Sequence, residues 1–146
     1  MNIQQDFEEL FTLFGKHDVG FMVVGGYAVA FHGAPRFTKD IDIFYDRSAE
    51  NIKRIRKALL DFGFTEKDVP ADLFEKEGNI VAFGVEPLRI DLLNRIDGVA
   101  YSEAAANRVA GQYGKALVYF IGKKELLKNK TSTSRQQDKI DAANLS

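Results

Sequence analysis

Apolar residues at Phe7, Leu10, Phe11 and Phe14 recur at helical spacing and stop near Gly15, which predicts an amphipathic first helix with its apolar face in the core. Phe21-Met22-Val23-Val24 is a short unbroken apolar run closed by Gly25-Gly26, the pattern of a buried strand entering a tight turn. Residues 28–31 begin a helix, and Gly33-Ala34-Pro35 breaks it. Asp40-Ile41-Asp42-Ile43-Phe44 alternates acid and apolar residues with the period of a strand, so Asp40 and Asp42 share one face. Ser48 is placed to cap a helix running to 62, with Ile52, Ile55 and Leu59 on its buried side and Gly63 at its end. Lys53, Arg54, Arg56 and Lys57 lie off that stripe and read as a solvated face rather than an RNA contact. Residues 80–85 and 88–93 flank Glu86-Pro87 and predict a hairpin, with Asp91 inside its second strand. A helix over 101–109, a strand over 117–121 and helices over 123–127 and 135–145 follow, the polar stretch 128–137 reading as a loop that feeds the last helix.

This alternation of strands and helices points to an α/β (α+β) fold. At 146 residues, 45% of them hydrophobic, the chain suits one compact domain over 1–146, with a helical C-terminal segment at about 123–146. Twenty basic residues against 21 acidic ones leave no global field to draw the protein onto nucleic acid or a membrane, so a polyanion must meet a local patch. Cysteine is absent, which removes disulfides, thiolate metal sites and a cysteine nucleophile and suits a reducing compartment. Residues 1–10 lack the basic start and apolar core of a signal peptide, and no apolar run approaches a bilayer-spanning length. The expected setting is cytoplasmic, with no membrane partner. Two histidines cannot found a His-rich metal centre, so a metal here must be held by carboxylates.

The chemistry concentrates in an ordered set. Val23-Val24-Gly25-Gly26 is followed by thirteen residues, then by Asp40-Ile41-Asp42-Ile43, and later by Ile90-Asp91-Leu92. A glycine pair between strand and helix lets the backbone approach a ligand, and free N–H groups at the helix start suit phosphate. Two carboxylates at i and i+2 on a rigid strand give Mg²⁺ hard oxygen ligands while leaving positions open for water and triphosphate oxygens. Asp91 on a neighbouring strand completes a second metal site or draws the proton from an attacking hydroxyl. Each part alone has an ordinary explanation, a turn or an amphipathic strand. Together they carry more, because two acids sharing a strand face repel one another and are tolerated best where a cation neutralises them.

The set resembles the minimal nucleotidyltransferases of the DNA polymerase beta-like superfamily, whose signature is an apolar residue, Gly, Gly or Ser, a gap, then Asp-apolar-Asp/Glu-apolar. Val24-Gly25-Gly26 and Asp40-Ile41-Asp42-Ile43 fill it. The run from Gly25 to Gly33 together with Arg36-Phe37-Thr38-Lys39-Asp40-Ile41-Asp42 is similar to the abortive-infection nucleotidyltransferase toxin branch. Lys124-Glu125-Leu126-Leu127-Lys128 and Arg135-Gln136-Gln137-Asp138-Lys139-Ile140-Asp141 resemble that family's closing pattern. The resemblance implies a nucleotidyltransferase fold whose mixed sheet, flanked by helices, carries Asp40, Asp42 and Asp91 as catalytic and metal-holding residues. It implies two Mg²⁺ ions, with Mn²⁺ able to substitute, an NTP donor, pyrophosphate release, and Gly25 and Gly26 facing the triphosphate. The acceptor it implies is tRNA or a protein in a toxin–antitoxin or phage-defence setting, read through an antitoxin-type partner, a second copy of the chain, or surface loops. The rival acceptor is a small hydroxylated antibiotic; the rival class is a catalytically silent regulatory or partner-binding module, against which the presence of all three acids argues. One departure is Gly26, which offers phosphate no hydroxyl where a serine would.

Other candidates follow from charge. Arg36, just before the acid strand, either reaches phosphate with its planar fork or pairs with the neighbouring Asp residues. Lys124 heads a section, 123–139, with six basic residues against two acidic ones, the patch to offer triphosphate or RNA. Arg135, Asp138 and Asp141 recur every three residues along one helix face and suit a structural network behind the catalytic end. His32 reads as a helix-end histidine bonded to backbone rather than as an acid or base.

Overall fold

The computed structural model describes residues 4–34, 40–84 and 89–145. Helix α1 (Gln5–Lys16) buries all four of its periodic apolar residues, Phe7, Leu10, Phe11 and Phe14. Its aromatic face meets the sheet through Phe21 and Tyr113, with ring centroids 5.3–6.2 Å apart. Strand β1 (Phe21–Val24) is buried throughout, as an unbroken apolar run requires of a central strand, and passes without a loop into α2 (Gly25–Phe31). Strand β2 (Asp40–Tyr45) follows, then α3 (Ala49–Phe62), whose first turn is capped by Ser48 Oγ accepting from the Asn51 N–H at 3.2 Å. A single turn, α4 (Asp72–Glu75), precedes β3 (Ile80–Phe83) and β4 (Arg89–Leu93), which pair antiparallel as the expected hairpin; its Glu86-Pro87 turn lies outside the described residues. The chain closes with α5 (Tyr101–Asn107), β5 (Val109–Tyr113), β6 (Ala116–Phe120), α6 (Lys123–Thr131) and α7 (Gln136–Leu145).

The six strands form one mixed sheet in the order β3-β4-β2-β1-β6-β5. Strand β2 runs antiparallel to β1 and parallel to β4, and β1 runs parallel to β6. This is the mixed sheet flanked by helices that the resemblance implies. Several elements depart from the sequence pattern, the short helix α4 among them. The helix expected to begin at 28 starts at Gly25, directly against the strand. The helix expected over 101–109 stops at Asn107, and residues 109–113 form an edge strand that the pattern hid behind Gly111. That glycine has a packing reason: Phe31 stacks flat on Phe120 at 4.0 Å, and a Cβ at 111 would lie 2.7 Å from Phe31 Cε1 and 3.0 Å from Phe120 Cε2. Helix α6 continues to Thr131, through residues whose polarity suggests a loop, because Lys130 is buried on the same face as Leu126 and exchanges ion pairs with α7. Among the described residues no helix is long and apolar enough to cross a membrane.

Candidate active site

Asp42 sits at the middle of the site because three strands fix its neighbours. Antiparallel register sets it beside Val24, the last residue of β1, and parallel register sets it beside Asp91 on β4. Asp40 lies two residues back on the same face, opposite Arg89. Gly25 follows Val24 with φ +67, a backbone conformation that favours glycine. A Cβ there would overlap Asp42 Oδ2 and stand 3.2 Å from its Cγ, so the missing side chain is also what lets the carboxylate lie against the backbone at the start of α2. Gly26, the next residue, is buried.

The electrostatics follow from this crowding. Asp42 is pushed up to about 6, first by burial and then by the negative charges of Asp91 and Asp40, with Lys130 and Arg135 pulling the other way. Asp42 and Asp91 open onto a cleft of about 380 Å³, together with Gly25 on their own side and Lys130, Thr133 and Arg135 opposite. That volume is within the range of small-molecule sites.

The opposite wall is built on α6, α7 and the turn between them. Lys130 Nζ lies 2.8 Å from Asp138 Oδ1 and 3.2 Å from Asp141 Oδ2, and all three side chains are at least nine-tenths buried. Thr133 Oγ1 donates to Asp138 Oδ2 at 2.6 Å, and Gln137 Nε2 donates to Asp141 Oδ1 at 2.9 Å. Burial works to raise the Asp138 pKa, but the hydrogen bonds from Lys130 and Thr133 outweigh it and hold this carboxyl below its ordinary range. The network expected of Arg135, Asp138 and Asp141 therefore centres on Lys130, while Arg135 reaches Asp138 only at 4.0 Å with most of its side chain in solvent.

Of the residues singled out from sequence, Gly25, Asp42, Asp91, Arg135 and Asp138 line the cleft together, whereas Asp40 and Gly26 are not among its lining residues. Arg36 lies outside the described residues. Lys124 is exposed on the first turn of α6, close enough to Glu103 to help lower that carboxyl, and is not among the residues lining the cleft. Lys130, which belongs to the basic section 123–139 read from sequence, does line the cleft and is buried on the same helix face as Leu126. Arg89 was missed, although its position two residues before Asp91 on a strand puts both on one face. His32 Nε2 bonds the Ile121 carbonyl at 2.7 Å, the backbone partner expected for it.

The donors fit a hard divalent cation. They are carboxylate oxygens on rigid adjacent strands, and the burial and then the like-charge repulsion that raise Asp42 are what such an ion would offset. Asp42 and Asp91 would be its first ligands, with Asp40 next along the face. Among the described residues, no three acidic, histidine or cysteine side chains already stand together as a metal-holding group.

Residues 10–109 match the family described as the nucleotidyl transferase AbiEii toxin of a type IV TA system. The chain belongs to that family. It is thus a nucleotidyltransferase of the abortive-infection toxin branch, the branch its glycine pair and acid strand resemble. Among solved structures, the lincosamide antibiotic adenylyltransferase LnuA in its lincomycin-bound form is similar in fold, with a TM-score of 0.54 at 16% identity over 99% of this chain and 98% of that one. Among curated proteins, no sequence matches the chain. The family match ends at 109, so β6, Lys130 and the whole α6–α7 wall lie beyond it, while the fold likeness to LnuA runs on through them.

Proposed function

We propose that this AbiEii-family chain works as one nucleotidyltransferase domain in the cytoplasm, passing a nucleoside monophosphate from an NTP to an acceptor and releasing pyrophosphate in a Mg²⁺-dependent reaction. The observation that carries this reading is Asp42, wedged between Gly25 and Asp91 and facing Lys130 and Arg135 across one cleft. Asp40, Asp42 and Asp91 would hold two divalent ions, Mg²⁺ or Mn²⁺, which when bound neutralise triphosphate charge and orient the attacked phosphorus. The missing side chain at Gly25, with Gly26 behind it, lets the Asp42 carboxylate lie against the backbone beside the cleft that would take the triphosphate. Arg135 supplies positive charge from the opposite wall, reaching in from solvent, while Lys130 is fixed by its two carboxylates and holds that wall together. Asp91 is the carboxylate placed to receive the acceptor hydroxyl's proton.

The acceptor in this reading is tRNA or a protein, in the toxin–antitoxin setting that the family description names. A second reading takes a small hydroxylated antibiotic as acceptor, favoured by the end-to-end fold likeness to the lincomycin-bound adenylyltransferase. Incubating the protein with alpha-labelled NTPs, Mg²⁺ and, in turn, tRNA, co-expressed partner proteins, aminoglycosides and lincosamides separates them. Label on RNA or protein supports the first, and label on a drug supports the second. Label on none of them, with Asp42→Ala indistinguishable from wild type, contradicts both.

A further inference from the structure

The sheet face that carries the acids continues past them. Strand order sets Gly25, just beyond β1, on one flank of Asp42 and Asp91, and sets β3 on the other. Leu93 lies two residues beyond Asp91 on the same face of β4, and antiparallel register sets Ile80 directly beside it. Both line the cleft, and Ile80 is 57% exposed although the next residue, Val81, is buried in the core. Ile96 joins them from the turn after β4, which is tied to α6 by Asn129 Nδ2 donating to the Asp97 carbonyl at 2.9 Å. On that turn Arg95 Nη1 lies 3.2 Å from Asp97 Oδ1, so the charge at this rim of the cleft is balanced. The cleft thus has a second end, aliphatic along the sheet and neutral at its rim, across the acids from the glycine bend.

We propose that this end is the acceptor subsite, and that it takes a compact, hydroxylated molecule of low charge whose aliphatic flank packs on Ile80, Leu93 and Ile96. The inference rests on the nucleotidyl-transfer reading above and selects the small-molecule acceptor within it. In-line displacement brings the attacking oxygen in opposite the leaving pyrophosphate. With the triphosphate on the Gly25 side, the attacking hydroxyl comes from the β3 side, past Asp91. Its oxygen bonds the α-phosphorus, the bond to pyrophosphate breaks with its electron pair on the leaving oxygen, and the hydroxyl proton passes to Asp91. Covering the aliphatic side chains removes apolar surface from water, which a carbon skeleton does and a phosphodiester backbone does not. An RNA strand here would bring its phosphates against Asp91 and against an Arg95 whose charge Asp97 already answers.

The test is NMR of the intact chain with isoleucine and leucine methyls labelled, Mg²⁺ and a non-hydrolysable NTP analogue present, and methyl, butyl and hexyl β-glucoside as graded probes. The methyl signals of Ile80, Leu93 and Ile96 should shift, and hexyl glucoside should bind about tenfold tighter than methyl glucoside or more, since each added methylene finds apolar cover. Ile80→Ser should weaken hexyl glucoside on the order of tenfold and leave the affinity for the analogue unchanged. Leu93→Ala carries the same comparison should the serine variant fail to fold. Glucosides that leave these three residues unshifted, or that bind both variants as tightly as wild type, would overturn the proposal. So would an RNA oligonucleotide or a serine-containing peptide that shifts the three residues in place of the glucosides. Mn²⁺ is the separate control: bound at the acids it should broaden the Leu93 methyls in wild type and not in Asp42→Ala. Equal broadening in both defeats the reading of the acid site, whatever the glucosides do.

Discussion

The two walls of the cleft handle charge in opposite ways. The strand wall gathers Asp40, Asp42 and Asp91 on one sheet face and leaves Asp42 buried and then repelled by its two neighbours, which together push its pKa up to about 6. The helical wall surrounds Lys130 with Asp138 and Asp141, caps Asp138 with Thr133, and so balances most of its charge internally. A wall that satisfies itself can be rigid in the empty protein. The strand wall pairs Arg89 with Asp91 but leaves Asp42 buried beside two like charges, and the difference marks Asp42 as the place where a cation changes the energetics most.

The largest expected effect comes from removing the centre of the unsatisfied wall. Asp42→Ala should lower nucleotidyl transfer by about 10³-fold or more, the several kcal/mol that a carboxylate-held metal contributes to charge stabilisation. The melting temperature of the metal-free protein should hold or rise, since a repelled, partly buried charge has gone. A parallel loss of melting temperature would mean that Asp42 supports the fold rather than the reaction.

Breaking the balanced wall should do the reverse. Lys130→Met leaves Asp138 and Asp141 buried without their cation and should cost about 3–5 kcal/mol in denaturant unfolding. Adding Asp138→Asn and Asp141→Asn should restore much of that loss. An undiminished cost in the triple variant would show that the wall is held by packing instead.

Gly25→Ala forces a side chain into the left-handed region, at about 1–2 kcal/mol, and also against Asp42 Oδ2. It should therefore reduce both stability and Mn²⁺ affinity, the second readable by calorimetry in a protein that still melts cooperatively. An unchanged affinity would separate the glycine bend from the acid wall.

The pH dependence has a definite sign. Asp42 holds its proton more tightly folded than unfolded, so the metal-free protein loses stability as pH rises from the ordinary value of 3.8 through about 6, and is level above that. A divalent ion must displace the same proton. Mn²⁺ affinity should fall about tenfold per pH unit below 6 and be flat from 7 upward. A flat profile from 5 to 7 would mean that Asp42 is not a ligand.

The strand wall was legible in the sequence because its information is local. Acid–apolar alternation fixes the face of Asp40 and Asp42, and the apolar run before Gly25 fixes the strand that delivers it. The helical wall was legible only in part: the three-residue spacing of Arg135, Asp138 and Asp141 gave one helix face, but the lysine that joins Asp138 and Asp141 from eight and eleven residues earlier looks like any polar residue until α6 and α7 fold against each other. The same holds for Val109–Tyr113, whose glycine lowers strand propensity for the sake of a Phe31–Phe120 stack formed by residues distant in sequence.

A crystal grown with Mn²⁺ and a non-hydrolysable NTP analogue tests the central assignment most directly. Anomalous scattering should place manganese against the carboxylates of Asp42 and Asp91, with the triphosphate between Gly25 and Lys130. Nucleotide bound elsewhere, or manganese away from both carboxylates, would contradict it.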